Sequence, residues 1–360
     1  MFALDRSAKG VTTVTIVSSP TTLMISMMST QLRVAVVQFA PKLGQVQANI
    51  AKARELCNRL KPRSVDLLCF PEMVFSGYVF PDTAAITPYL EHPYTGPTST
   101  FCAELARSLE CFVAAGYPEK LEPREHAPPL GGDNLSFHQP RIGANSAVMY
   151  GPTGERVGAY RKTNLYKLDL PWAVPGSGFT TMTLPHPLGP TTLAICNDLN
   201  VQDPAVWESL DDGPYELARY CIRSGTRLLI VLNAWLHPDE NGEESDADSS
   251  DYTTTEQNED TDEMEPSWEV LKYWAMRLNP LWATIQKATH ETEKEPGECK
   301  IPDELLVVVC NRFGNEGGSR FAGSSVLMSL RRGSGRPRLL HMMGQREEGI
   351  GLWTANMALQ

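Results

Sequence analysis

Seven stretches of this chain are largely apolar runs: "RVAVVQFA" (33–40), "VDLLCFPEM" (65–73), "CFVAAGYPE" (111–119), "TTLAICNDL" (191–199), "TRLLIVLNAWL" (226–236), "LLVVVCNRF" (305–313) and "GSSVLMSL" (323–330). Continuous runs of this length, bounded by turn residues, read as buried strands. Between them, "QANIAKARELCNRL", "TFCAELARSLE" and "PYELARYCIRSG" space apolar residues at helical intervals, with Gly225 closing the third. "NSAVMYGPTGERVGAYRKTNLY" (145–166) reads as a hairpin around a Pro-Thr-Gly turn, and 266–291 as one long amphipathic helix. Strands alternate with helices, but hairpins interrupt the parallel pattern. The expected class is therefore α/β with mixed β-sheets.

At 360 residues, 42% hydrophobic and 21% charged, the chain has the composition of a soluble globular protein. No apolar stretch reaches the ~18–20 residues of a membrane span. Its eight cysteines form no C-x-x-C pair and no zinc-like spacing, which points to reduced thiols rather than a disulfide framework. The net charge of −11 belongs largely to residues 239–265, which hold 13 Asp or Glu and no Lys or Arg. Removing those charges leaves +2, so the acidity reads as a self-repelling, disordered insert between a strand and a helix. No basic stripe suggests nucleic acid. Residues 1–30 read as an unstructured extension or a weak mitochondrial transit segment, with one domain over 31–360. A cytoplasmic location is expected, or a mitochondrial one through that extension.

Three reactive side chains stand just beyond apolar strands: Glu72 after "DLLCFP", Lys162 after "VGAYR" and Cys196 after "TLAI". Each alone has an ordinary explanation as a turn residue, a solvated charge or a core thiol. Together they form a chemical set. A thiol must lose its proton to attack a carbonyl, and a nearby ammonium both lowers its pKa and stabilises the oxyanion that follows. A carboxylate can take the thiol proton and return it to a leaving amine. None of the seven histidines has a comparable strand-end setting, and no His/carboxylate cluster suggests a metal.

"LLCFPEMVFSGY", "YRKTNLY" and "AICNDLN", in this order, resemble the Glu–Lys–Cys signature of the carbon–nitrogen hydrolase (nitrilase) superfamily. The likeness runs from "RVAVVQFAP" to "NRFGNEGGSRFAGSSV", nearly everything after residue 31. "CNDLN", "NAWL" and "YWAMRLNPL" are similar to the protein N-terminal amidase branch. The resemblance implies a four-layer α-β-β-α sandwich with Cys196 as nucleophile, Lys162 at the oxyanion, Glu72 as general base and the Asn197 N–H completing the oxyanion hole. It implies no cofactor. The branch deamidates N-terminal Asn or Gln of peptides and proteins to Asp or Glu, releasing ammonia and creating a degradation signal. Such a substrate needs its α-amino group recognised; Asp198 is the candidate, or else a carboxylate capping the following turn. Tyr78 lines the pocket or packs in the core. Trp235 is a substrate wall or core, and Asn311, Arg312 and Glu316 are site residues or a turn with an ion pair.

One departure stands against this reading. Amidase-like members carry a further Glu two residues before a Trp, where this chain has Leu170 before Trp172. Asp169 is adjacent, but in a strand-like segment a one-residue shift points the side chain the other way. Either Asp169 or Glu119 substitutes, or the chain is impaired or has changed substrate. The alternatives are a small-molecule amidase or nitrilase on the same fold, and a catalytically impaired relative that binds N-termini.

Overall fold

The computed structural model describes residues 29–129, 139–206, 209–210, 213–238, 264–284 and 302–358. The acidic insert up to residue 263, and the N-terminal extension up to residue 28, lie outside the described residues. The apolar runs become the centres of two six-stranded mixed sheets. The first contains β1 (Ser29–Gln38), β2 (Leu67–Cys69), β3 (Phe112–Lys120), β4 (Gly143–Tyr150), β5 (Arg156–Arg161) and β14 (Gly349–Ala358), in the order β14-β1-β2-β3-β4-β5. β1, β2 and β3 run parallel, while β4, β5 and β14 join antiparallel. The second contains β6 (Thr180–Thr183), β7 (Pro190–Ile195), β8 (Leu228–Asn233), β9 (Glu304–Asn311), β12 (Val326–Arg331) and β13 (Arg338–Met342), in the order β13-β12-β9-β8-β7-β6. Its central three strands are parallel. A separate hairpin, β10 (Phe313–Glu316) and β11 (Ser319–Ala322), lies outside both sheets.

Successive strand residues face opposite sides of a sheet, and three cores follow from that alternation. Val34, Val36, Leu67, Cys69 and Met149 of the first sheet pack against Leu193, Ile195, Ile230, Leu232 and Val308 of the second. The in-between residues Ala35, Val37, Leu68 and Val113 face the helices α1 (Val46–Cys57) and α3 (Pro97–Leu109). A four-residue helix, α2 (Thr83–Ile86), lies between these in sequence. Ala194, Leu229, Val231 and Val307 face α4 (Glu216–Arg223) and α5 (Trp268–Arg277). Helix, sheet, sheet, helix is the four-layer sandwich expected. Strands buried on both faces explain why their sequences are continuous rather than alternating.

Some boundaries differ. The first strand begins at Ser29, two residues before the expected domain start. The second strand stops at Cys69, because Pro71 cannot donate to a ladder. The helix expected over 266–291 ends at Arg277, and a 3₁₀ turn, Asn279–Leu281, follows with Pro280 inside it. Residues beyond 284 in that stretch lie outside the described residues until 302.

β3 passes so close behind the Pro71–Met73 turn that only glycine fits at position 116. A Cβ there would stand 2.6 Å from the Glu72 Cα and 2.9 Å from the Met73 nitrogen. The same turn is tied down by Gly116 N–H to the Pro71 carbonyl (3.1 Å) and Val74 N–H to the Gly116 carbonyl (3.0 Å). Gly116→Ala should therefore push Glu72 out of place. Where Glu72 serves as the general base that the resemblance implies, the expected loss in kcat is about 10- to 100-fold, the usual cost of misplacing a reacting group by ~1 Å. An unchanged kcat would show that this close approach does not position Glu72.

Candidate active site

Glu72, Lys162 and Cys196 converge at one end of the sandwich, each just past the C-terminal end of its strand. Glu72 follows β2 in the turn pinned by Gly116. Lys162 extends β5 by one residue, with its N–H donating to the Asn145 carbonyl at 2.8 Å. Cys196 directly follows β7 with φ of 44°, in the left-handed region that a non-glycine residue rarely enters. That conformation turns the chain from strand into the 3₁₀ turn Cys196–Leu199. Side chain and turn together face a cleft of about 60 Å³ lined by Tyr166, Asn197, Asn200, Ala234, Trp235 and Leu236.

Lys162 and Glu72 are wholly buried, and so is Asp169. Lys162 Nζ donates to Glu72 Oε1 at 2.8 Å and to Asp169 Oδ2 at 2.7 Å. Asn145 Nδ2 bridges the same two carboxylates, at 2.7 Å to Glu72 Oε1 and 2.9 Å to Asp169 Oδ1. The other Glu72 oxygen accepts the Ala234 N–H at 2.7 Å. Two carboxylates around one ammonium leave the cluster with an excess negative charge inside the protein. Burial therefore raises the proton affinity of Glu72, Lys162 opposes this, and Asp169 reinforces it. Lys162 is held as the cation by its two carboxylate partners, against its own burial. The Cys196 thiol is pushed well above its ordinary value, first by burial and then by Glu72, while Lys162 and the Ala234 N–H favour the thiolate. Burial thus favours the neutral thiol in the resting site, with the Glu72 carboxylate opposing its ionisation.

As pH falls, Glu72 should protonate before an ordinary glutamate would, and where it serves as the general base that role is lost with the charge. The acid limb of the kcat profile should therefore lie above the ordinary carboxylate range, and a limb within that range would contradict this geometry.

Of the two carboxylates considered in place of the missing glutamate, Asp169 is the one on the lysine. Strand alternation, the argument against it, does not apply because residues 167–172 form turns. Asp169 Oδ2 also accepts the Tyr166 N–H at 2.9 Å, and the Asp169 carbonyl accepts N–H groups from Trp172 and Ala173. Asp169 is the second carboxylate on the lysine. Glu119 is not with it. Glu119 lies on the helix side of the first sheet, accepting from Ser146 Oγ and paired with Arg161 at 2.7 Å. Glu119 is itself buried.

Asp198 has the geometry of the turn-capping reading rather than that of an amino-group receptor. It is fully buried, and its oxygens accept from the Ile195, Thr163 and Asn164 N–H groups and the Tyr160 hydroxyl. Burial pushes its carboxyl up to about 6 even so. Tyr78 is buried, its ring 5.6 Å from Lys162 Nζ and packed against Phe321. Trp235 lines the cleft. Arg312 pairs with Glu316 at 2.8 Å, and Glu316 accepts the Tyr78 and Val79 N–H groups, as the turn-and-ion-pair reading has it. Asn311 accepts the Trp235 N–H at 2.9 Å and so holds the cleft wall.

Sequence reasoning passed over Asn145 and the Ala234 N–H. Asn145 carried a usable signal, a polar residue at the head of an apolar strand. Among the described residues, no group of His, Cys, Asp or Glu is arranged to hold a metal ion.

A carbon-nitrogen hydrolase family profile matches residues 33–222, which include all three strand-end residues and Asp169. The chain belongs to the carbon-nitrogen hydrolase family. This carbon-nitrogen hydrolase is an amidohydrolase. It is 29% identical over 330 residues to the protein N-terminal amidase of Schizosaccharomyces pombe, covering 87% of this chain and 96% of that protein. It is 24% identical to the protein N-terminal amidase of Saccharomyces cerevisiae, over 57% of this chain and 45% of that protein. In fold, it resembles an N-terminal amidase solved with an Asn-Glu-Ala peptide, with a TM-score of 0.69 at 19% identity, over 91% of this chain and 98% of the other.

Proposed function

We propose that this amidohydrolase removes ammonia from the side-chain carboxamide of N-terminal Asn or Gln in peptides and proteins. The observation that carries the reading is the buried Lys162 shared between Glu72 and Asp169, beside a cysteine in a small cleft. The likeness to the S. pombe protein N-terminal amidase over nearly that protein's full length supports the substrate.

In this reading Glu72 takes the Cys196 proton, and the thiolate attacks the carboxamide carbon. The carbonyl electrons move to oxygen, which receives hydrogen bonds from Lys162 and the Asn197 N–H. An ammonium has three N–H groups. Two of those on Lys162 serve the carboxylates, leaving the third for the oxyanion. Glu72 returns the proton to the departing nitrogen, which leaves as ammonia, and a thioester remains on Cys196. Water, deprotonated by Glu72, then attacks the thioester, releasing Asp or Glu and restoring the thiol.

Ammonia release from peptides beginning with Asn or Gln, from their N-acetylated forms and from free glutamine tests the substrate. Release from the unblocked peptides, with the acetylated forms at least tenfold slower, is expected. Activity confined to free glutamine would overturn the N-terminal reading in favour of a small-molecule amidase.

A further inference from the structure

We infer that Tyr273 and Arg277, one turn apart on α5, are positioning residues that set the nucleophile turn and its oxyanion donor. This rests on Cys196 being the nucleophile. Residues four apart on a helix share a face, and this face meets the turn at two points. Arg277, almost wholly buried, donates from Nε to the Leu199 carbonyl at 2.6 Å, the last residue of the turn. Its Nη2 donates to the Pro214 carbonyl at 2.8 Å, which fixes the guanidinium from the other side. The Tyr273 hydroxyl donates to Asn200 Oδ1 at 2.7 Å, and Asn200 Nδ2 donates onward to Asn197 Oδ1 at 2.7 Å. Asn197 is the residue whose backbone N–H faces the oxyanion in the proposed mechanism.

The opposite side of the turn is held by the loop after Lys162. Asn164 Nδ2 donates to the Asn197 carbonyl at 2.8 Å, and Asn197 Nδ2 donates to the Leu165 carbonyl at 3.1 Å. The turn is therefore clamped between the lysine loop and α5. The lysine loop fixes where the ammonium sits relative to the turn. Helix α5 fixes how the turn is rotated about the end of β7, and so where the Asn197 amide points. Tyr273 also packs against Trp235, with ring centroids 5.5 Å apart, so the same helix supports the cleft wall.

Tyr273→Phe tests this, because it deletes one hydroxyl and keeps the ring against Trp235. The kcat for ammonia release should fall about tenfold, the scale of one neutral hydrogen bond, with KM changed less than about twofold, as for an interaction acting mainly in the transition state. Alkylation of Cys196 by iodoacetamide, read by mass on the peptide that contains it, develops no oxyanion and should keep the wild-type rate. Adding Asn200→Ala to Tyr273→Phe should cost little more, since both act through one relay. An unchanged kcat, or alkylation falling in parallel with it, overturns the inference. If Cys196→Ala still releases ammonia at the wild-type rate, the nucleophile assignment fails instead, and the two failures are distinguishable.

Discussion

Glu72→Gln should lower kcat by about three orders of magnitude, within the range of a lost general acid–base, while leaving KM within a few-fold. Glutamine is isosteric. Its carboxamide oxygen can still accept the Ala234 N–H or the Lys162 ammonium, so the turn beside Gly116 keeps most of its ties. It cannot take the Cys196 proton, give one to the leaving ammonia or activate water, and both halves of the proposed reaction depend on that group. Ammonia release at saturating peptide checks this directly. A variant within tenfold of wild type would mean that Glu72 is not the base.

Asp169→Asn should cost about 10- to 100-fold in kcat and lower the melting temperature. Lys162 is wholly buried, and among the described residues its carboxylate partners are Glu72 and Asp169. Removing one partner of a buried ion pair typically costs ~3–5 kcal/mol, and Asn145, which bridges both carboxylates, softens that loss here. Without Asp169 the ammonium draws closer to Glu72 electrostatically, and Glu72 becomes a weaker base. The acid limb of the pH profile should therefore move down, since Asp169 is among the causes raising Glu72. Glu119→Gln, altering the other carboxylate considered for this role, should leave kcat within about twofold, as is usual for changes remote from the chemistry. A larger effect from Glu119 than from Asp169 would reverse the assignment.

The residues that carry the site were visible in sequence because they break a strong pattern. Glu72, Lys162 and Cys196 each follow an apolar strand, and strands buried on both faces are the most legible elements of this chain. Asp169 was legible as a residue type but not in direction, because turn geometry over 167–172 depends on hydrogen bonds that the sequence does not display. Asp198 was legible as two alternatives, and only its four hydrogen bonds separate them. The strands passed over are the weaker ones. β6 and β13 are short edge strands in which no residue is fully buried. β14 carried a true period-two signal, with Gly351, Trp353, Ala355 and Met357 buried and Leu352, Thr354 and Asn356 exposed, in a segment where helical spacing and unbroken runs were absent. Asn145 illustrates a different limit: its value lies in bridging two carboxylates 73 and 24 residues away, which spacing does not encode.

The central claim is that Cys196 becomes acylated during amide hydrolysis. It is tested most directly by mixing the enzyme with a peptide beginning with Asn or Gln, quenching in acid and digesting for mass spectrometry. The account predicts that the fragment containing Cys196 gains the mass of the substrate peptide less ammonia, and that Cys196→Ala shows neither the adduct nor ammonia release. Ammonia released by Cys196→Ala at the wild-type rate, or an acyl adduct on a different residue, would contradict it.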